Sequence, residues 1–299
     1  MSRGLRIRLH HFNIEKVTHN PGIYRAAAVL LAGLLAQAAH GQVCTEWKDA
    51  VHIGDLQLQL EEASGVAVSR KFPNRLYHVN DSGDAGTFYV TNMQGRETRP
   101  VSITGFKPRD TEAISLGGCG NGKSCLFIGD VGDNQRRRET AEIVIVEELE
   151  QFPASVSPIA RMKLRYPDGP HDAESLAVHP DGTIYILTKE QPARLFKAKS
   201  HSSSQVLTPV MTLDAGGRPT DMAISDDGTR LLVLTYLDAV EFGIDFQHPE
   251  PLRYRQTIHV RFLQQQEGVA YLPGSRSFVY TTERLVFPAW IMRVDCGGN

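Results

Sequence analysis

At 299 residues, with 41% hydrophobic and 22% charged side chains, the chain has the composition of a globular protein able to bury a sizeable core. Its formal net charge of -2 excludes a global basic field for nucleic acid or for anionic membranes, so any recognition by charge is local. No GxSxG elbow, P-loop or HExxH helix is present, which removes several common enzyme classes.

The first element is an apolar run over residues 26–39, AAAVLLAGLLAQAA, preceded by Arg3, Arg6, Arg8, Lys16 and Arg25. Its 14 residues are too few to span a bilayer comfortably. The run ends in small side chains, and Ala39 and Gly41 suit the cleavage site of a signal peptidase. Residues 1–41 therefore read as a signal peptide and 42–299 as the mature domain, periplasmic or extracellular. A short membrane anchor or a buried helix is the rival reading. No later apolar stretch reaches membrane length, so a monomer without a membrane span is expected.

Next, VHIGDLQLQL over 51–60 alternates as a strand does. Five copies of one unit follow: SGVAVS from Ser64, EAISLG from Glu112, ESLAVH from Glu174, DMAISD from Asp221 and EGVAYL from Glu267. In each, a turn and a second apolar strand come after the first; Pro180-Asp181-Gly182 before TIYILT is an example. Subtracting successive positions gives 48, 62, 47 and 46 residues, the period of a propeller blade. The expected fold is all-β, a single β-propeller of five blades. The 62-residue interval holds GDVGDNQRRRETAEIVIVEELE, an enlarged second blade or the place of a sixth. The last copy leaves only 33 residues, so 51–60 is expected to supply its outer strand and close the ring. Cys119 and Cys125 flank a Gly-Asn-Gly turn, and Cys44 and Cys296 stand where the two ends of a closed ring meet. Disulfides 119–125 and 44–296 are expected, although sequence leaves other pairings and free thiols open.

Aligned on their first strands, the copies place Ser64, Glu112, Glu174, Asp221 and Glu267 at one position. The second strands end at Asp81, Asp130, Lys189, Tyr236 and Glu283, which lie 17, 18, 15, 15 and 16 residues further on. A hairpin of that length returns to its starting level, so the two sets form adjacent rings at one mouth of the channel. Crowded carboxylates repel unless a cation joins them. Calcium first, or another hard divalent ion, is the expected cofactor, with Glu112, Glu174, Asp221, Glu267, Asp81 and Asp130 as ligands. The competing reading has the same acids accepting backbone amides and stitching blades together. Lys189 suits an anionic substrate group and Tyr236 a proton or hydrogen bond to substrate. Asn80-Asp81-Ser82-Gly83-Asp84 and Gly129-Asp130-Val131-Gly132-Asp133-Asn134 extend the cluster. His78 reads as a packed or surface side chain, and Arg136-Arg137-Arg138 as a solvated basic run able to grip an acidic partner.

The run HVNDSGD, DTEAIS and FIGDVGDN, with DAESLAVHPDG and EGVAY, resembles secreted bacterial propellers of the esterase-like phytase and SdiA-regulated group. A remoter resemblance is to the SMP-30/gluconolactonase propellers. It implies a divalent metal at Glu112, Glu174, Asp221 and Glu267, with Asp221 as base. The Asn-Gly ligand motif of those lactonases is absent, and Lys189 and Tyr236 intrude. The expected function is an exported propeller whose acidic axial pocket binds a divalent cation, with metal-assisted hydrolysis of phosphoesters or lactones as the enzymatic form. In that form Asp221, Glu267, Lys189 and Tyr236 are the catalytic candidates. A non-catalytic scaffold for a protein, glycan or small molecule is the alternative.

Overall fold

The computed structural model describes residues 43–298 except 61, 82, 84, 200, 201 and 261–264, so the expected signal peptide lies outside the described residues. Strands dominate, with a single 3₁₀ turn at Leu58–Leu60 among the described residues. They form five sheets. The innermost strands are Ala63–Val68, Thr111–Gly118, Ala173–Val178, Pro219–Ile224 and Gln266–Tyr271, opening blades 1 to 5 in that order. Each packs on the next, and the last returns to the first, which closes a five-bladed propeller. Four of these strands are buried along their whole length, because small and β-branched residues line the axis on one face and the blade interface on the other. No helix among the described residues is long and apolar enough to cross a membrane.

The core lies between blades rather than within them. Phe127, Ile143 and Met162 of blade 2 meet Leu176, Ile186 and Phe196 of blade 3, and equivalent layers fill the other interfaces. His78 is one such packed residue: it is fully buried, donates or accepts at Nε2 with Thr91 Oγ1 at 3.0 Å, and burial drops its pKa to about 3.

The long interval contains no sixth sheet among the described residues. Its extra chain forms the loop after Asp130 and the short strand Ser155–Val156, which runs parallel to the outer strand Arg99–Ile103 of blade 1. Blade 3 returns the device, sending Ser204–Val206 to lie parallel to Ala160–Arg165 of blade 2. Both insertions cover a sheet edge that would otherwise offer unpaired backbone groups. At the seam, Val51–Asp55 pairs antiparallel with Trp290–Asp295 as the outer strand of blade 5. The expected strand over 51–60 thus stops at Asp55, because buried Leu60 must turn the chain inward to start blade 1. Both expected disulfides are present, Cys44–Cys296 with 5.6 Å and Cys119–Cys125 with 5.8 Å between Cα atoms.

Cys44–Cys296 closes a 252-residue span, so it restricts the unfolded chain far more than the six-residue Cys119–Cys125 loop does. The double variant Cys44→Ser/Cys296→Ser should lose about 2–5 kcal/mol in guanidinium unfolding. Cys119→Ser/Cys125→Ser should lose clearly less.

Candidate functional site

The start of every inner strand carries a break in register against its second strand. It falls at Ser64 in blade 1, Glu112 in blade 2, Glu174 in blade 3 and Glu267-Gly268 in blade 5. Such bulges re-aim the extra side chain, which explains how an acid at a strand start can turn to the channel mouth. In blade 4 the break lies between Pro219 and Asp221, so Thr220 takes the ring position. Thr220 is fully buried and its Oγ1 has no hydrogen-bond partner.

Asp221 therefore stands one residue past the ring. Its Oδ1 accepts the Met222 amide at 2.8 Å and its Oδ2 the Val269 amide at 2.7 Å, tying blade 4 to blade 5. Both oxygens are committed to stitching. Asp130 is displaced by one residue in the opposite sense. It pairs in the ladder with Thr111, as Asn80 pairs with Ala63 and Thr188 with Ala173, so Val131 is the equivalent of Asp81 and Lys189. The Asp130 carboxylate takes both Arg138 nitrogens, at 2.9 and 2.7 Å, and the amides of Arg109 and Asp110 at 3.1 and 2.8 Å. Arg138 also donates to the Gly132 carbonyl at 2.6 Å. The basic run is thus divided: Arg138 turns inward and fixes the GDVGDN loop, while Arg136 reaches Glu190 at 3.3 Å.

Two of the expected ligands do come together. Carboxylate oxygens of Asp81, Asp110 and Glu112 all lie within 4.8 Å of one another. Asp110 was not among the sequence candidates. A usable signal existed, because Asp110-Thr111-Glu112 in blade 2 repeats as Asp172-Ala173-Glu174 in blade 3. Gly132 makes the arrangement possible: a Cβ there would lie 2.6 Å from the Asp110 carboxyl carbon and 2.8 Å from Glu112 Cγ. The backbone of GDVGDN is packed directly beneath the acids, and Arg138 holds it there.

Crowding and burial hold protons on this mouth. Burial, helped by Asp81 and Asp172 and opposed by Arg138, pushes Asp110 up to about 7. Burial with Glu174, Asp81 and Asp110 nearby pushes Glu112 well above the carboxylate range. Across the mouth Glu174 is raised to about 7 by burial against the pull of Lys189, whose Nζ is 2.9 Å from its Oε1. Burial would discharge Lys189, but Glu174 and Tyr236 outweigh it and hold the ammonium charged. Tyr236 is pushed up to about 12 by burial and by Glu267, so it keeps its proton at neutral pH. Glu267 accepts from Gln265 Nε2 at 2.6 Å and is raised well above the usual range by burial, Glu283 and Glu174. Ser64 donates to the Thr111 carbonyl at 3.0 Å and is a stitch between blades 1 and 2.

No family model matches the chain, and no curated protein matches it. Solved structures similar to it include a gluconolactonase from Xanthomonas campestris, at 11% identity and a TM-score of 0.45, covering 74% of this chain and 68% of that one. A protein assigned as a 6-phosphogluconolactonase from Bacteroides uniformis has 14% identity and a TM-score of 0.44, covering 81% of this chain and 77% of that one. U3-55K has 8% identity and a TM-score of 0.42, covering 78% and 67%. Chains this distant say nothing of what the present one binds or turns over. The resemblance to the phytase and SdiA-regulated group gains no support from these comparisons.

Two predictions follow from the bonding. Asp221→Ala strands two buried amides and should cost about 2–5 kcal/mol in denaturant unfolding. The raised carboxyls bind protons in the folded state that the unfolded chain has already released. Stability of the cation-free protein should therefore be full below about pH 4 as far as these groups are concerned, and should fall as pH rises toward 7. Thermal melts in chelator across that range measure it; a flat or rising profile contradicts the assignment.

Proposed function

We propose that this is an exported propeller whose acidic mouth binds a divalent cation, calcium first, at Asp81, Asp110 and Glu112. The carrying observation is that three carboxylates converge within 4.8 Å above a loop fixed by Arg138, with further acids nearby. Clustered carboxylate oxygens are the donor set a hard cation selects. The two disulfides support folding in an oxidising compartment, in line with the apolar N-terminal run.

The enzymatic form of this reading is hydrolysis of a phosphoester or lactone. A bound ion supplies polarisation of the electrophilic oxygen. Lys189, charged and partly open to the mouth, would hold an anionic oxygen of the substrate. Tyr236, protonated beside it, would donate a hydrogen bond to the same group. Glu267 takes the place of Asp221 as the acid–base candidate, since Asp221 is closed in by two amides; raised well above the usual range, Glu267 would enter as the protonated acid and give its proton to the leaving oxygen. A specific observation favours the scaffold reading as well: Glu174 and Lys189 form an ion pair at 2.9 Å without a ligand. In that case the ion serves stability and the rim binds a partner.

Calorimetric titration of the chelated protein with calcium and magnesium tests the site. One ion should bind per chain. At a concentration about 100-fold above Kd it should add roughly 2.7 kcal/mol, seen as a rise of several degrees in Tm. Asp110→Asn should abolish that rise, and an unchanged titration in this variant removes the site. A screen of lactones and phosphoesters then separates the two forms. Turnover that drops about 100-fold or more in Glu267→Gln with folding intact marks the enzyme, whereas ion binding with no turnover marks the scaffold.

A further inference from the structure

At the mouth opposite the acids, the hairpin turns between the first and second strands of blades 1 to 4 surround a cavity of about 420 Å³. That volume is in the range of small-molecule sites. Between the two mouths the axis narrows to a void of about 30 Å³ lined by Val66, Ile114, Val178, Ile224 and Ala270, too small for an organic ligand. The cavity is therefore a separate compartment, and nothing bound there touches the acidic mouth.

Its chemistry is the reverse of the other end. Arg70, Lys71 and Lys123 line it, against one carboxylate, Asp226. Asp226 is fixed by blade 5, accepting the Gly274 amide at 2.7 Å on Oδ2 and donating its own amide to Ser275 Oγ at 2.8 Å. Its Oδ1 pairs with Arg70, which reaches from blade 1 to blade 4. Lys123 also meets Glu147 at 2.7 Å, but that pair is exposed and holds the lysine only weakly. Leu116, Val178 and Pro180 give the cavity an apolar wall. The remaining wall is the glycine-rich hairpin of blade 2, clamped across its base by Cys119–Cys125. Gly118 lines the cavity at an ordinary φ, and a Cβ built on it meets nothing within 4 Å. Here the missing side chain leaves space that the fold does not otherwise need.

We propose that this cavity is a second binding site, for a small organic anion. Its ring or acyl body lies on Leu116, Val178 and Pro180, and its carboxylate or phosphate faces Lys71, Arg70 and Lys123. The cross-mouth ion pair fixes Arg70, and the disulfide clamps the hairpin backbone that carries Lys123, before the ligand arrives, which lowers the entropy lost on binding.

Anilinonaphthalene sulfonate, an apolar ring system carrying one anion, is the probe. Fluorescence titration of the whole protein should show one saturable site. Two variants attack it independently: Gly118→Phe fills the cavity, and Lys71→Glu/Lys123→Glu reverses its exposed charges. Each should weaken binding by about tenfold or more, while Asp110→Asn at the other mouth should leave it unchanged. Competition by benzoate or by phenyl phosphate then separates a carboxylate site from a phosphate site. Circular dichroism checks folding, and if Gly118→Phe misfolds, the charge-reversed variant decides alone. The absence of a saturable site, full affinity in the charge-reversed variant, or loss of binding in Asp110→Asn overturns the proposal.

Discussion

Closing a ring of blades forces the starts of five inner strands into one small volume, and a register break at each start turns a side chain toward it. When those side chains are acids, the fold must offset repulsion that burial makes stronger. Much of the polar structure around the axis is that compensation. Lys189 offsets Glu174, Gln265 donates to Glu267, and Asp221 is removed from the ring and spent on two amides. Arg138 neutralises Asp130, whose four hydrogen-bond donors then hold the GDVGDN loop under Asp110 and Glu112.

The two ends of the channel differ because different parts of each blade reach them. Strand starts and the loops after second strands bring the carboxylates to one mouth, while hairpin turns bring Arg70, Lys71 and Lys123 to the other. Between them the axis narrows to a void of about 30 Å³. A net charge near zero for the whole chain thus conceals two local fields of opposite sign.

Blade period, ring closure and both disulfides were legible because they rest on spacing, which the sequence displays directly. Blade number was harder. The long interval has enough residues for another sheet, and only pairing shows that Ser155–Val156 leaves its own blade to edge blade 1. The candidate site was legible to within one residue, and that one residue mattered. Alignment followed the carboxylate in DMAIS and the acid in FIGDV, but the ladder breaks at Thr220 and passes Asp130 by. In a strand, a shift of one residue changes the face, so alignment sets among the expected ligands a carboxylate whose two oxygens each accept a backbone amide. Asp110 escaped notice for a related reason. It lies before its strand begins, and its place is fixed by Asp130 and Gly132 rather than by strand periodicity.

The distribution of compensation also locates the site more sharply than the number of acids does. Glu174, Asp221 and Glu267 each have a donor from their own or a neighbouring blade. Around Asp110 and Glu112 further acids crowd in; Arg138 pulls on Asp110 and Lys189 on Glu112, but Arg138 is bound to Asp130 on both nitrogens and Lys189 to Glu174. Protons and an added cation are two ways to offset the charge that is left. Burial and crowding keep protons on both groups above the ordinary carboxylate range, with Asp110 pushed up to about 7. Where those protons leave, the divalent ion proposed for this mouth would take their place among three carboxylates that bare Gly132 and the loop held by Arg138 bring together.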